Sequence, residues 1–447
     1  MTGRLALALT ARTPDDCPPE VLAKSSLCLE DFLSGAYEAA PLEWSRQAAA
    51  IAVPVADGAA LIAARSRAAA GDAAFANAVA AHGLVREDMH TGSIAHLGVV
   101  IWPALLAALT LSRREVSGRE LLAAGVAGYE VGGRIGTALM TAELARLFRP
   151  TGMAGPLASA SACGLVLGLD EDQLAAALGL AANTAAGFNE WPHSGGSEMY
   201  FHAGFAARNG LACALLARQG AFAAPSILEG EAGLFRAIGR TAPPDDIAIF
   251  PSGDHAIMDV FHKQAPACNY AQTPIQAALR AFGDLGRAAS TVREVRLKTT
   301  RAALLYPGCD HTGPFGNILQ AKMSIQYGVA AAIASGELAE ANYAMIGDPE
   351  VGRLIAAVAL EEDPALTAAY PGRQGAAATV VAEDGHAVTC ELADVIKADG
   401  EEIRSRFIAS AGNWLGPNRT SDLVEFVHGI ESRQDARPVD GLCIPAA

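Results

Sequence analysis

Aromatic side chains make up only 6% of this 447-residue chain, and charged ones only 18%. A core so short of large rings has to be filled by smaller groups. The chain supplies 45 glycines and a 51% hydrophobic fraction rich in alanine, which lets helices approach one another closely. That composition excludes the low-hydrophobicity signature of disorder. A basic excess is also missing: 33 Lys and Arg stand against 48 Asp and Glu, for a net charge of −15. A nucleic-acid partner needs clustered cations and is therefore not expected, although a small anion in a locally basic pocket is not excluded. No long hydrophobic run occurs. The stretch "VVIWPALLAALTL" falls short of the roughly 20 residues that span a bilayer and contains Pro103, so no membrane partner is expected. The eight cysteines (17, 28, 163, 213, 268, 309, 390 and 443) include no CxxC pair. Zinc-ribbon chemistry is thereby excluded, and the thiols read as reduced core residues of a cytoplasmic protein. The opening "MTGRLALALTARTPDD" is faintly like a secretory signal, but Arg12 ends its apolar run early, so an N-terminal helix is expected.

From about residue 20 to 240 the pattern is helix after helix with short polar breaks. Ser117 and Glu120 form a capping box before "LLAAGVAGYEVGGRIGTAL", and Asp170 with Gln173 do the same before "LAAALGLAANTAAG". Near residue 240 the texture changes, with "TAPPDDIAIFPSGDH" as a Pro/Asp/Gly connector. "STVREVRLKTT" and "GAAATVVAEDGHAVTCELADV" then alternate as half-buried strands do, with Asp384-Gly385 as a hairpin turn. "FGNILQAKMSIQYGVAAAIASG" lies between them as helix, and "EEIRSRFIASAGNW" and "SDLVEFVHGIES" are helical again. The expected fold is mainly α with an α+β insertion. It divides into a helical domain over 1–255, an α+β lid over 256–400 and a helical tail over 401–447 that returns to the first domain.

The stretch "HGLVREDMHTGSIAHLG", residues 82 to 98, sets three histidines and two acids into a nearly apolar background. With its preceding helix it resembles the signature of the MmgE/PrpD family: an Asn-containing helix leading to His, then Asp-x-Asp-Asp-Thr-His, five residues, and His-Pro. "FRPTGMAGPLASA" is similar to that family's His-Pro-Thr-Gly segment, and "FHAGFAARNGLACALLA" to its His-Ala-Gly helix. "KQAPACNY" resembles its Lys-x-x-Pro-x-Cys stretch, and "AKMSIQYGVAAAIASGEL" its Ala-Lys-Phe-Ser-x-x-Tyr helix. The resemblance runs in order over roughly residues 20 to 430. It implies a helical domain with a smaller α/β lid, a homodimer, no metal and no organic cofactor. It also implies carbanion-type chemistry beside a carboxylate: dehydration, decarboxylation or epimerisation. Such chemistry needs a base near the carbon, and cationic or hydrogen-bonding groups where charge develops.

Several signature positions differ. The family's first Asp falls on Val85 and its Thr on Met89, while Glu87, Asp88, His90 and His96 keep acidic and imidazole groups. The Pro after the last His is Leu97, and the His of the Pro-Thr-Gly segment is Arg149. The Lys before His-Ala-Gly falls on Met199, beside Glu198, and the His nine residues after Lys263 falls on Gln272. Replacing Lys by Met makes the pocket more apolar, where a di- or tricarboxylate would be poorly compensated for desolvation. A substrate with fewer carboxylates and more hydrocarbon is expected, with Arg149 gripping one carboxylate as a planar fork.

The candidate acid–base residues are His96, His90 and Asp88, with His96 foremost because imidazole titrates near neutrality. Lys263 and Tyr327 complete the catalytic set; Arg149, His202, Gln272, Met199 and Met89 are the substrate-binding candidates. Each has a plainer alternative: His96 as a helix cap, His90 as an exposed loop residue, Asp88 on a solvated face. Lys263 could equally serve in a domain-junction ion pair, Tyr327 in the core with a satisfied hydroxyl, Arg149 in a surface salt bridge, and His202 as a packing residue. His193 and Glu198 lie in a Gly195-Gly196 loop from which a replacement acid or base could be recruited. Cys268 reads as a buried position rather than a nucleophile, since no basic residue adjoins it in sequence. The expected activity is that of a cofactor-independent dehydratase, a lyase acting on a small carboxylate or carbonyl compound. Decarboxylation or epimerisation is the nearest rival. Cyclisation or isomerisation of a biosynthetic intermediate, or a catalytically silent binding subunit, comes after these.

Overall fold

Both capping boxes open helices. Ser117 Oγ accepts the Glu120 amide at 3.2 Å while the Glu120 carboxylate accepts the Ser117 amide at 2.7 Å, starting Gly118–Leu139. Asp170 and Gln173 make the same reciprocal pair before Glu171–Ala182. In the computed structural model, which describes residues 1–141, 143–238 and 244–445, these helices join a body that includes Thr2–Thr10, Pro19–Glu38, Ala70–His82, Pro150–Leu167 and Glu198–Arg218. At its centre lies Gly98–Leu111, the longest apolar run of the sequence, buried over almost its whole length. An all-round apolar helix of this kind is a core helix. Among the described residues no helix is long and apolar enough to cross a membrane.

Small residues set the spacing of these helices. A Cβ on Gly132 would lie 2.8 Å from both Ala158 Cβ and Leu97 Cδ2, and one on Gly133 would lie 2.9 Å from His90 Nε2. Gly118–Leu139 therefore rests directly on Pro150–Leu167 and on the loop between residues 83 and 97, which carries most of the candidate site. This is the use the sequence makes of its glycine in place of aromatic bulk.

One element departs from the expected run of helices. β1 (Pro54–Leu61) and β2 (Ser66–Ala68) form an antiparallel hairpin inside the helical region. Its period-2 signal is blurred by alanine, and its tie is a buried side chain: Asn77 donates to Ala60 O at 2.8 Å and accepts from the Ile62 amide at 3.0 Å. A second pairing joins distant segments, with β3 (Met89–His90) antiparallel to β4 (Val260–Phe261).

The strands after residue 240 make one four-stranded sheet. β5 (Val292–Thr299) runs parallel to β6 (Val358–Glu362) and antiparallel to β7 (Ala376–Ala382), which pairs with β8 (Ala387–Leu392), giving the order β6-β5-β7-β8. β5 shows the expected alternation, with Val292, Val295, Leu297 and Thr299 inward. Gly385, at φ +83°, makes the β7–β8 turn that only a residue without Cβ adopts readily. Helix Gln272–Leu285 covers β7 and β8, and helix Gly400–Leu415 returns to pack on Pro19–Glu38. The expected helix around residues 318–335 is two, Ile318–Met323 and Ile325–Ser335. They meet at Ser324, whose extended backbone breaks the first and whose Oγ caps the second on the Tyr327 amide at 2.9 Å. The fold is mainly α with a small α+β part. All eight cysteines are free thiols, seven of them buried.

Candidate active site

The site grows from the loop that follows helix Ala70–His82. Two β-branched residues in it hold left-handed backbone, Val85 at φ +59° and Ile94 at φ +55°. For such side chains this conformation costs energy that the surrounding structure must supply, and such residues cluster at functional sites. The surroundings are visible. The His90 amide donates to Ala95 O at 3.0 Å, closing the loop on itself. The His96 amide donates to Thr151 Oγ1 at 3.0 Å, fastening the loop to helix Pro150–Leu167.

Glu87, fully buried, is the hub. Its Oε1 accepts from His82 Nδ1 at 2.8 Å, lies 3.2 Å from His96 Nδ1 and stands 3.9 Å from Lys263 Nζ. Burial pushes this carboxyl up, but the Lys263 ammonium and the hydrogen bond from His82 outweigh it and hold it well below the usual range. Glu87 is therefore an anion at neutral pH. Both imidazoles are held below their ordinary value by burial, with the Lys263 and Arg149 charges adding to it and Glu87 opposing. They are therefore neutral, and their hydrogen bonds fix the tautomers. His96 Nδ1–H points at Asp88 O (2.9 Å) and Glu87, which leaves Nε2 as the lone-pair nitrogen. His82 Nδ1–H serves Glu87, so its Nε2 accepts from Arg149 Nη2 at 3.1 Å. Arg149, His82 and Glu87 thus form one directed chain.

Above this chain is a cleft lined by Val85, Met89, Ile94, His96, Arg149, Trp191, Met199, Cys268, Asn269, Tyr270, Tyr306 and Met323. Arg149 is its singular feature. The residue is 6% exposed, and its polar contacts are His82 Nε2, Met199 Sδ at 3.6 Å and the Tyr306 side chain. Its Nε has no partner, and among the described residues no carboxylate lies within ion-pair distance of it. Lys263 cancels Glu87, so Arg149 is left as an uncompensated buried cation facing a mostly apolar cavity. A buried cation in that state gains from an anionic partner.

The candidates divide cleanly. His96, Arg149, Met199 and Met89 line the cleft together. Lys263 lies behind its wall, donating to Val85 O at 2.6 Å and Ala267 O at 3.4 Å; it neutralises Glu87 and holds the strained loop. Asp88 orients His96 through its backbone carbonyl. Its carboxylate instead accepts the Gly98 amide at 3.0 Å and the Tyr129 hydroxyl, capping helix Gly98–Leu111. Burial raises that carboxyl to about 6, against the His262 charge. His90 turns away, its Nδ1 on Ser93 and its ring beside Gly133. Burial, with Arg134 nearby, lowers it to about 4. Gln272 is spent on the backbone of Ala265 and Ala267. Tyr327 donates to Asn342 O at 2.8 Å and borders a different cavity. His202 stands on the far side of Arg149, against Gly187. His193 and Glu198 are exposed and do not line the cleft.

Tyr327, Gln272, His90 and Lys263 therefore do not line this cleft with His96 and Arg149. Residues outside the candidate set lie there instead: Tyr306, Trp191 and Asn269 on the cleft, His82 and Glu87 beneath it. A usable signal existed for the last two, since a histidine ending the Asn-containing helix and an acid five residues on can meet across a turn. Nothing in the sequence marked Tyr306.

Fold and site together define a mainly helical protein whose cleft sets a neutral imidazole and a fixed cation among apolar walls. Residues 3–246 match the MmgE/PrpD N-terminal domain and residues 265–406 the MmgE/PrpD C-terminal domain; the chain belongs to the MmgE/PrpD family. It is 24% identical to a cis-aconitate decarboxylase of Aspergillus terreus over 95% of this chain and 92% of that one. A cis-aconitate decarboxylase-like protein of Aspergillus oryzae is 33% identical, over 49% of this chain and about half (47%) of that relative. A 2-methylcitrate dehydratase of Cupriavidus necator is 28% identical over 64% of this chain and 58% of that one. The names of these relatives, decarboxylase and dehydratase, are those of lyases.

Proposed function

We propose that the chain is a lyase that works by acid–base catalysis at a carbon beside a carboxyl or carbonyl group, as a dehydratase of a relatively apolar β-hydroxy compound. The observation that carries this is the pair formed by Arg149, buried without a carboxylate partner, and His96, neutral with Nε2 on the same cleft. A substrate carboxylate or carbonyl oxygen sits on Arg149. His96 Nε2 takes the proton from the adjacent carbon, and the charge that develops is met by Arg149 and the Tyr306 hydroxyl. As the carbon–carbon double bond forms, the β C–O bond breaks, and the departing hydroxide is protonated to water by the imidazolium. Glu87 stabilises that imidazolium without itself reaching the substrate. The catalytic residues proposed are His96, Arg149 and Tyr306, with His82, Glu87, Lys263 and Asp88 as positioning residues. The proposed assembly is a homodimer.

The apolar wall of Val85, Met89, Met199 and Met323 favours a second outcome at the same centre. A second carboxylate held there would be desolvated without a partner, and losing it as carbon dioxide would relieve that cost. Incubation in deuterated water with β-hydroxy acids, unsaturated diacids and their thioesters separates the two by mass. Loss of water marks dehydration, loss of carbon dioxide marks decarboxylation, and deuterium at the α-carbon marks the shared carbanion. His96→Gln is expected to lower turnover at least ~100-fold with the circular-dichroism spectrum unchanged. An unaltered rate in that variant would remove His96 from the mechanism.

A further inference from the structure

Cys268 has no basic neighbour in sequence, but the fold surrounds it with groups that favour a thiolate. It lines the cleft at the start of the segment that runs through Asn269–Ala271 into helix Gln272–Leu285. Its Sγ lies 3.6 Å from Cys309 Sγ, which is fully buried. The hydrogen-bond contact with Cys309, together with the Tyr270 amide and the Lys263 and Arg149 charges, lowers the Cys268 thiol against the effect of burial; burial raises Cys309. The two strands of chain are pinned around the contact: the Cys268 amide donates to Lys322 O at 2.9 Å and the Ile325 amide to Cys309 O at 2.9 Å.

We propose that Cys268 and Cys309 are an oxidant-reactive dithiol in the wall of the cleft, oxidised by a small hydroperoxide and closing to a disulfide. Cys268 sulfur attacks the peroxide, an S–O bond forms, the O–O bond breaks and the distal oxygen leaves as water or alcohol. Cys309 sulfur then attacks the sulfenic sulfur; the S–S bond forms, the S–O bond breaks, and hydroxide leaves as water with the Cys309 proton. Two thiols are oxidised and one peroxide is reduced. Low thiol pKa, access from a cleft and a resolving partner in contact are the features that select a cysteine for this chemistry. The Cys309 amide donates to Tyr306 O at 3.1 Å, so drawing Cys309 toward Cys268 also moves the turn that presents Tyr306 to the cleft.

The test uses the intact protein and needs no substrate, so it is independent of the lyase assignment. Hydrogen peroxide is added to the reduced chain and the thiols are followed by peptide mass mapping, with the half-buried Cys390 as internal comparator. The expected result is a dithiothreitol-reversible peptide linking Cys268 to Cys309, formed at least tenfold faster than Cys390 is oxidised. Cys309→Ser should stop at a dimedone-trappable sulfenic acid on Cys268. Oxidation of Cys390 ahead of the pair, or peroxide-resistant Cys268 in the folded wild-type chain, would overturn the proposal.

Discussion

Arg149→Met should move two measurements in opposite directions. The substitution keeps chain length and removes the buried cation that lacks a carboxylate partner. Without ligand, losing that charge relieves a desolvation cost of several kcal/mol per ion. It also orphans His82 Nε2, which now accepts from Arg149 at 3.1 Å, at a cost of about 1–3 kcal/mol. The balance is a free protein about 1–3 kcal/mol more stable. With an unfolding entropy of about 2.1 cal/mol/K per residue and 447 residues, each kcal/mol shifts the midpoint by about 1 °C, so scanning calorimetry should show a rise of about 1–3 °C. Carboxylate binding should fall. Truncating one partner of a buried, hydrogen-bonded charge pair costs about 2–5 kcal/mol, or at least ~30-fold in affinity. Titration calorimetry with 3-hydroxybutyrate and crotonate reads that loss. A midpoint lowered by several degrees, with carboxylate affinity unchanged, would show that Arg149 is a structural residue and would refute the reasoning.

Glu87→Gln leaves Lys263 buried without an anion; breaking such a pair costs about 3–5 kcal/mol, so the midpoint should drop by about 3–5 °C, and an unchanged midpoint would show that the hub carries no charge. Acid should destabilise the chain through its buried histidines. His82, His90, His96 and His202 are all held below the ordinary value, chiefly by burial, the second and last at about 4. The unfolded chain takes up protons near pH 6.5 that the fold refuses, so stability present above 6.5 is lost as pH falls toward the folded values. For His90 alone this amounts to about 3 kcal/mol. Urea midpoints at pH 7 and pH 4.5 should show the loss, and His90→Asn should flatten it; equal slopes in both proteins would exclude His90 as a contributor. Tyr327→Phe should cost about 1 kcal/mol and change turnover less than ~3-fold, because its hydroxyl serves Asn342. Tyr306→Phe should lower turnover about 100-fold, and the reverse order of effects would return the role to Tyr327.

What could be seen in the sequence was what is local. Ser117 with Glu120, Asp170 with Gln173, the Asp384-Gly385 turn and the alternation of residues 292–299 each encode their structure within a few residues, and each formed as expected. The β1–β2 hairpin is hidden by alanine and tied by Asn77 in the helix that follows it, and β3 pairs with β4 across 170 residues of sequence. The site failed in the same way. A residue type and a matching motif position do not say which way a side chain points. Lys263 and Gln272 face backbone carbonyls and Asp88 caps a helix, because buried polar groups must be satisfied wherever the fold takes them. Cys268 was set aside for lack of an adjacent base, although the fold brings Lys263 and Arg149 to it.

Two of the departures from the family pattern turn out to be one. The position of the family's lysine is Met199, that of its histidine is Arg149, and Arg149 Nη2 lies 3.6 Å from Met199 Sδ. The two differing positions are therefore neighbours in the cleft, one on helix Glu198–Arg218 and the other preceding helix Pro150–Leu167. Arg149 presents a planar fork, and Met199 sets a thioether beside Trp191 and Met323. Under the proposed function Arg149 serves one carboxylate, and a second set against Met199 and Met323 would meet apolar groups, at a cost of several kcal/mol. Under the proposed lyase reading, this wall favours compounds carrying a single retained carboxylate or carbonyl, with hydrocarbon where a tricarboxylate would place its remaining charge.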